Sequence, residues 1–443
     1  MSGLRAETFP EAAVRDRART GTAAAFPPLA DYGHALFGAA VSGAGSGSGS
    51  AGSASGVSAS GMVSDELDAA RLVPPVFVPE RLEKLIDLAR EPLHGDVDLT
   101  TSVGGFASAL PVYLSAFGST QVASADLGVA ASAQAGALGV PVVVGENVVP
   151  VNGYGRLADG GGRSLLARIR AYADAVPDGL GGVVVQQSTE DADAEVWNLV
   201  YSDPSARPLL ESGRLGFELK VGQGAKPGLG GMTVVDAADT RRLSEQFALE
   251  PVFDPATGRV LRCASPGTFT EEILRQQVRL MRNNFPRARV WVKLPPGRDV
   301  AAAAAIAWAA GADAVTVDGA EGGSGWAPAA FLAGVGLPLA ECLRRIGPPD
   351  GCLLVSGRVW EGLRAVKCLA AGAGAVGLGR AALIAVDEDP RAGLVRLVEC
   401  LALELRMLIS ALGKYRVSAL SPDDLWSPTG WAVPARDRLG AVR

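Results

Sequence analysis

The sequence predicts an α/β fold, a (β/α)8 TIM barrel. Two observations carry this: eight short apolar runs alternate with helical patterns, and no G-x-G-x-x-G follows a first strand, as the rival doubly wound sheet would often show. The runs are PVYLS (111–115), PVVVG (141–145), VVVQ (183–186), FELKV (217–221), VWVKL (290–294), AVTV (314–317), LLVS (353–356) and AVGLG (375–379). They are continuously apolar rather than alternating, as parallel strands covered on both faces should be. Between them lie helical patterns such as DVAAAAAIAWAAGA and VWEGLRAVKCLAAGA; the second sets Val359, Leu363, Val366 and Leu369 at helical spacing and offers Gly372 as a stop.

Ahead of the barrel, residues 1–41 form an N-terminal segment containing FPPLADYGHALFG, and residues 42–61 are a Gly/Ser/Ala tract of linker composition. Such a tract has too little apolar surface to repay ordering, so deleting residues 1–61 should leave the barrel folded. The barrel itself spans residues 72–425, and 426–443 form a tail. The stretch 232–285 is too long for one ordinary connection and predicts an insertion over the barrel mouth.

Composition excludes several function classes. The chain of 443 residues is 48% hydrophobic and 20% charged, enough for a large core, and its net charge of −6 argues against a nucleic-acid binder. No apolar run reaches the ~18 residues of a membrane helix, and the first twenty residues lack the apolar stretch of a signal peptide, so a cytoplasmic protein is expected. The five cysteines show no C-x-x-C spacing and read as buried thiols. With only His34 and His94, a histidine metal site or a Ser-His-Asp triad in the main body is not expected.

In a barrel the chemistry sits where strands end. PVYLS runs through Ser115 into Ala116 and Gly118; PVVVG is followed by Glu146; VVVQ is followed by Gln187. FELKV opens a glycine-rich loop holding Gln223 and Lys226, which from spacing reads equally as a ligand floor or a surface loop. Lys293 stands inside the otherwise apolar fifth strand, either facing in with a partner or snorkelling outward. The sixth strand leads to Asp318, Gly322, Gly323, Ser324 and Gly325; the seventh to Ser356, Gly357 and Arg358; the eighth to Gly377, Gly379 and Arg380, which opens a helix. Glycines and a helix N-terminus after strands seven and eight are a barrel phosphate site, since backbone N–H groups and the helix dipole both favour an anion. A lysine in the fifth strand, a glutamine after the third and that phosphate site suit FMN. A cation near the flavin edge that gains negative charge on reduction would favour electron uptake, by about 4 kcal/mol at ~4 Å and an effective dielectric of ~20.

The run GQGAKPGLGG then resembles the signature loop of the FMN domain of glutamate synthase, with SAFGS, VKL, DGAEGGSGWAP and GRAALIA in support. The tail ELRMLISALGKYRVSALSPDDL is similar to separate, single-subunit versions such as the flavin subunit of N-methylglutamate synthase. The resemblance covers roughly residues 75–425. It implies FMN on a (β/α)8 barrel and reductive amination, in which a 2-oxo acid and an amine condense to an imine that FMN reduces, or the reverse. It places Gln223 and Lys226 on the 2-oxo acid, Glu146 near the ammonia entry and Gln187 at the flavin. An external electron donor, partner subunits and a homo-oligomer are implied as well.

The departures matter too. Only Cys400 follows the phosphate-side helix, so the family's iron–sulfur cluster is not expected, and no metal site is assigned. No cysteine follows Met1, so no N-terminal glutaminase is expected either. Where the family has an arginine after the third strand, this chain reads QQSTEDADAEVW, and Met232 is a further change. A stand-alone FMN enzyme acting on an amino-acid-like substrate therefore competes with the C–N reading. A non-catalytic binding subunit is the third possibility.

Overall fold

The computed structural model describes residues 9–27, 66–117, 125–145, 161–189, 194–224, 226, 232–245, 247–263, 269–322 and 327–428. Its centre is a closed barrel of eight parallel strands: β1 (Val112–Phe117), β2 (Val142–Val144), β3 (Val183–Ser188), β4 (Leu215–Lys220), β5 (Arg289–Leu294), β6 (Ala314–Asp318), β7 (Cys352–Ser356) and β8 (Ala375–Leu378). They neighbour one another in chain order, and β8 closes on β1 through Val376↔Val112 and Leu378↔Leu114. The eight sequence runs are these eight strands, and the doubly wound alternative is set aside by the closure. The helix Gly362–Ala370 buries Val366 and Leu369, leaves Leu363 at the surface, and is followed by Gly372 at φ +106, a conformation that favours glycine.

Strand alternation sorts the side chains. Val183, Val185, Leu215, Phe217, Val290, Val292, Val315 and Val317 face the helical ring and join the main core. Tyr113, Val143, Val184, Trp291, Ala314, Leu354 and Ala375 face inward and form an apolar floor inside the barrel. That floor is plugged by the hairpin Thr101–Val103/Phe106–Ser108, whose Val103 and Phe106 pack among these residues. Trp291 locks it: its indole Nε1 donates to the Gly104 carbonyl at 2.9 Å, and its ring lies 5.7 Å from Phe106 and 6.1 Å from Tyr113.

The expected insertion leaves β4 at its C-terminal, mouth-side end. It forms a three-stranded antiparallel sheet (Thr233–Asp236, Arg259–Arg262, Leu249–Glu250 in spatial order) and rejoins the barrel through the helix Glu271–Asn284. Further along the chain Leu425–Trp426 pairs with Arg71–Leu72, so Trp426, the first residue of the expected tail, is held in a small sheet.

The described part of the N-terminal segment is docked on the helices that follow β8. The helix Glu11–Thr20 packs on the helices Arg380–Glu388 and Gly393–Ala411, with Val14 and Ala18 fully buried. Arg17 lies between the Trp360 ring, 4.8 Å away, and Glu404, at 2.6 Å. The tract 42–61 lies outside the described residues.

Gly104 tests the plug. It has φ +57, and a Cβ there would stand 2.2 Å from the Trp291 ring. Gly104→Ala should therefore cost about 2–4 kcal/mol, through backbone strain and an overfilled floor. A denaturant midpoint equal to that of the parent chain would show that the hairpin is not tied to the barrel interior.

Candidate functional site

Above the apolar floor the barrel interior turns polar. Alternation from Trp291 and Ala314 brings Lys293, Thr316 and Asp318 inward, and the neighbouring strands add Gln186, Glu218, Ser356 and Ser115, all of them buried. Lys293 Nζ lies 3.0 Å from Asp318 Oδ2, both side chains being almost fully buried. The Ser356 hydroxyl donates to the other Asp318 oxygen, and the Ser115 hydroxyl lies 3.5 Å from that of Ser356. On the opposite side Glu218 accepts from Gln186 Nε2 and, at 2.8 Å, from the Thr316 hydroxyl. Burial raises the Glu218 carboxyl above its ordinary range, and the Lys293 charge opposes that shift.

Two local features shape this belt. A β-bulge in β1 between Leu114 and Phe117 sets both Ser115 and Ala116 toward the interior: Ser115 meets Ser356, and Ala116 packs against the floor cluster. On β8, Gly377 contributes no side chain, and its place is taken by neighbours. A Cβ there would fall 2.7 Å from the Tyr113 ring and 3.0 Å from Ser356 Cβ. Tyr113 is fully buried and its hydroxyl has no hydrogen-bond partner among the described residues; burial holds its pKa well above the usual tyrosine value.

The ends of β6, β7 and β8 form the anion side. The loops after β6 and β7 nearly touch: a Cβ on Gly322 would lie 3.6 Å from the Gly357 Cα. Gly357 has φ +152, and Arg358 takes the left-handed conformation at φ +55, uncommon for a non-glycine residue. Arg358 bonds Asp68 at 2.9 Å. Arg364 braces the turn, donating to the Gly357 carbonyl at 2.9 Å, to Asp68 at 2.8 Å and to Glu321 at 2.6 Å. Glu321 in turn accepts from the Leu339 backbone N–H. Gly379 caps the helix Arg380–Glu388 with no side-chain cap, and the Arg380 guanidinium lies 4.8 Å from the Phe9 ring. Burial, and then the Arg358 charge, push the Arg380 pKa down. Two guanidiniums at an uncapped helix N-terminus present the field an oxyanion would relieve.

The Gln223–Lys226 loop stands at the mouth. Lys226 is buried, its backbone N–H bonds the Gln223 carbonyl at 3.1 Å, and its ammonium donates to the Met232 carbonyl. The loop rests on the end of β5: a Cβ on Gly222 would meet Pro295 at 2.9 Å.

The structure thus brings Ser115, Ala116, Lys293, Asp318 and Ser356 together inside the barrel, and Gly322, Gly357, Arg358, Gly379 and Arg380 at its rim. Gln187 is placed otherwise. It follows Gln186 on β3 and faces the ring of helices, its amide donating to the Gln186 carbonyl at 3.0 Å, so Gln186 is the glutamine in the interior. Lys293 faces in, and its anionic neighbour is Asp318 rather than a ligand alone. Gly377 lies within the belt rather than on the anion loop. Gly118, Glu146, Gly323, Ser324 and Gly325 lie outside the described residues. Sequence reasoning did not single out Glu218, Gln186, Thr316, Tyr113, Asp68, Arg364 or Phe9. For Glu218 there was a signal, a carboxylate in an apolar strand.

Comparison with known proteins bears on this arrangement. Residues 210–388 match the conserved region of glutamate synthase, a stretch that runs from just before β4 to the end of the helix Arg380–Glu388. The archaeal-type glutamate synthase (NADPH) of Dehalococcoides mccartyi is 31% identical over 186 residues, 40% of this chain and 36% of that protein. A glutamate synthase large subunit-like protein of Rhizobium meliloti is 32% identical over 184 residues, 39% of this chain and 40% of that protein. The chain therefore spans well under half the length of these relatives. Among solved structures, a flavocytochrome b2 variant with benzoylformate superposes with a TM-score of 0.53 at 17% identity, covering 85% of this chain and 80% of that one. A chimera of (S)-mandelate dehydrogenase superposes with a TM-score of 0.50 at 19% identity, covering 82% and 88%. These confirm the barrel fold. No helix among the described residues is long and apolar enough to cross a membrane.

Two measurements test the belt. Lys293→Met should leave Asp318 buried without its counter-charge and cost about 3–5 kcal/mol, most of it recovered in Lys293→Met/Asp318→Asn; equal losses in the single and double variants would contradict the pairing. For Glu218 the sign follows from its raised pKa. Such a group supports folding fully below its unfolded value of about 4.3 and loses that support as pH rises through its folded value. Glu218→Gln removes this titration, so its stability relative to the parent should improve from acid to neutral pH. A pH-independent difference would sink the assignment.

Proposed function

We infer a function from the match between residues 210–388, which hold β4 to β8, and the conserved region of glutamate synthase. From that premise we propose an FMN-dependent oxidoreductase acting on a C–N bond: reductive amination of a 2-oxo acid, or the reverse oxidation of an amino acid or secondary amine. The observation that carries the reading is the joint placement of a buried lysine–aspartate pair in the interior and two arginines at an uncapped helix N-terminus on the rim.

The residues fit FMN. The backbones at Gly322 and Gly357 come together at the rim, and Arg358 and Arg380 would supply charge for one terminal phosphate, with Gly323, Ser324, Gly325 and Gly379 as further contributors. When bound, FMN supplies reversible hydride transfer at its isoalloxazine ring. Ser115, Ala116 and the Lys293–Asp318 pair would line that ring. Lys293 would offer that ring a positive charge, and Asp318 would moderate it. Gln223 and Lys226 would hold the substrate's carboxylate or oxo group at the mouth, one ammonium hydrogen remaining on the Met232 carbonyl as a strut. Glu146 would receive the amine. Electrons would come from an external donor and the amine from solution or a partner subunit.

The competing reading, a stand-alone FMN enzyme acting on another amino-acid-like metabolite, is favoured by one observation. The family match begins just before β4 and so leaves out the loops after β1–β3, where an arginine is replaced. Incubating the protein with panels of 2-oxo acids and amines under reducing conditions, read by mass spectrometry, separates the two.

The flavin released by heat should run as FMN; FAD, or no flavin after reconstitution, would overturn the proposal. Lys226→Met should keep FMN bound and lower kcat/KM at least ~10-fold, the loss of a charge-assisted hydrogen bond of roughly 1.5–3 kcal/mol. If Lys226 is only a strut, flavin and substrate affinity fall together, and full activity would remove it from the site.

A further inference from the structure

The N-terminal arm grips the helix Arg380–Glu388, whose N-terminus faces the anion side, and it does so at both ends. At the C-terminal end Arg15 pairs with Asp387 at 2.9 Å and Glu388 at 3.0 Å, and Arg19 pairs with Glu388 at 2.8 Å. At the N-terminal end the buried ring of Phe9 lies against the guanidinium of Arg380, 4.8 Å from its carbon. Arg17, in the Trp360–Glu404 niche, and the buried Val14 and Ala18 hold the arm between these ends.

Arg380 needs such a hold. It is partly desolvated, it feels the positive charge of Arg358, and among the described residues no carboxylate lies within ion-pair distance of it. A guanidinium so placed has two ways to be stabilised, an aromatic face and an anion. The aromatic face comes from residue 9, outside the barrel.

We propose that residues 9–27 are part of the anion site. Phe9 acts as a positioning residue that holds Arg380 for the phosphate of the bound flavin. The inference rests on the FMN reading above and adds to it an element outside the barrel. By linkage, phosphate binding tightens the arm as much as the arm tightens phosphate binding.

Riboflavin, which shares the ring of FMN and lacks its phosphate, makes the test specific. The full-length chain and its Phe9→Ala, Phe9→Leu and Phe9→Tyr variants are freed of flavin and titrated with FMN and with riboflavin, following flavin fluorescence. Phe9→Ala and Phe9→Leu should each lose about five- to tenfold in FMN affinity, Phe9→Tyr should stay within about twofold of the parent, and riboflavin affinity should not move in any of them. In the parent, FMN but not riboflavin should slow proteolysis of the arm. Restoration of FMN affinity by leucine, or a parallel loss for riboflavin, would show a packing role only and overturn the proposal. Should Phe9→Ala fail to fold, the leucine–tyrosine contrast still decides. A parent chain that binds no FMN overturns the functional reading itself, whereas FMN binding indifferent to Phe9 overturns this inference alone.

Discussion

An ammonium group enclosed in a barrel has to be neutralised where it stands, and Lys293 imposes that requirement on the strands around it. Asp318 answers it from the neighbouring strand at 3.0 Å, Ser356 holds Asp318 from the next, and Ser115 approaches Ser356 from across β8. The last step is possible because Gly377 leaves its place on β8 to the Tyr113 ring and Ser356. On the other side Glu218, Gln186 and Thr316 satisfy one another. The belt therefore runs almost round the barrel, its members held in place by one another.

Much of this was legible in the sequence, for identifiable reasons. Eight apolar runs, each ended by glycine or polar residues, pointed to parallel strands buried on both faces, and their number favoured a barrel over a doubly wound sheet. Lys293 stood out because a charge in such a run is costly. Asp318 was also named, but its pairing with Lys293 was not, since nothing in one sequence gives the register that sets Lys293 beside Thr316 and leaves Asp318 one step of alternation beyond. The two glutamines failed for the same reason: in VVVQQS there is no apolar–polar alternation to tell which faces in, and Gln186 rather than Gln187 does. The bulge at Ser115–Ala116 carries no composition signal at all.

The docking of the N-terminal helix has little composition signal, because half of its residues are charged. In EAAVRDRART the buried apolar contribution is Val14 and Ala18, and the rest of the attachment is made by arginines whose carboxylate partners lie more than 360 residues away. A reading by composition assigns such a helix to solvent. Its attachment becomes visible only once the helices after β8 are in place. A similar separation in sequence explains Asp68, which lies in the short helix Glu66–Ala69 and reaches Arg358 and Arg364, both after β7.

The hairpin plug has a consequence for proton traffic. With Trp291, Phe106 and Val103 filling the floor, the described residues leave the buried Glu218 carboxyl its access to bulk water from the mouth side. A ligand seated there closes that route. The interior would then keep whatever protonation it held when the ligand arrived, and its charge would be set by the pH of the encounter rather than adjusted during turnover.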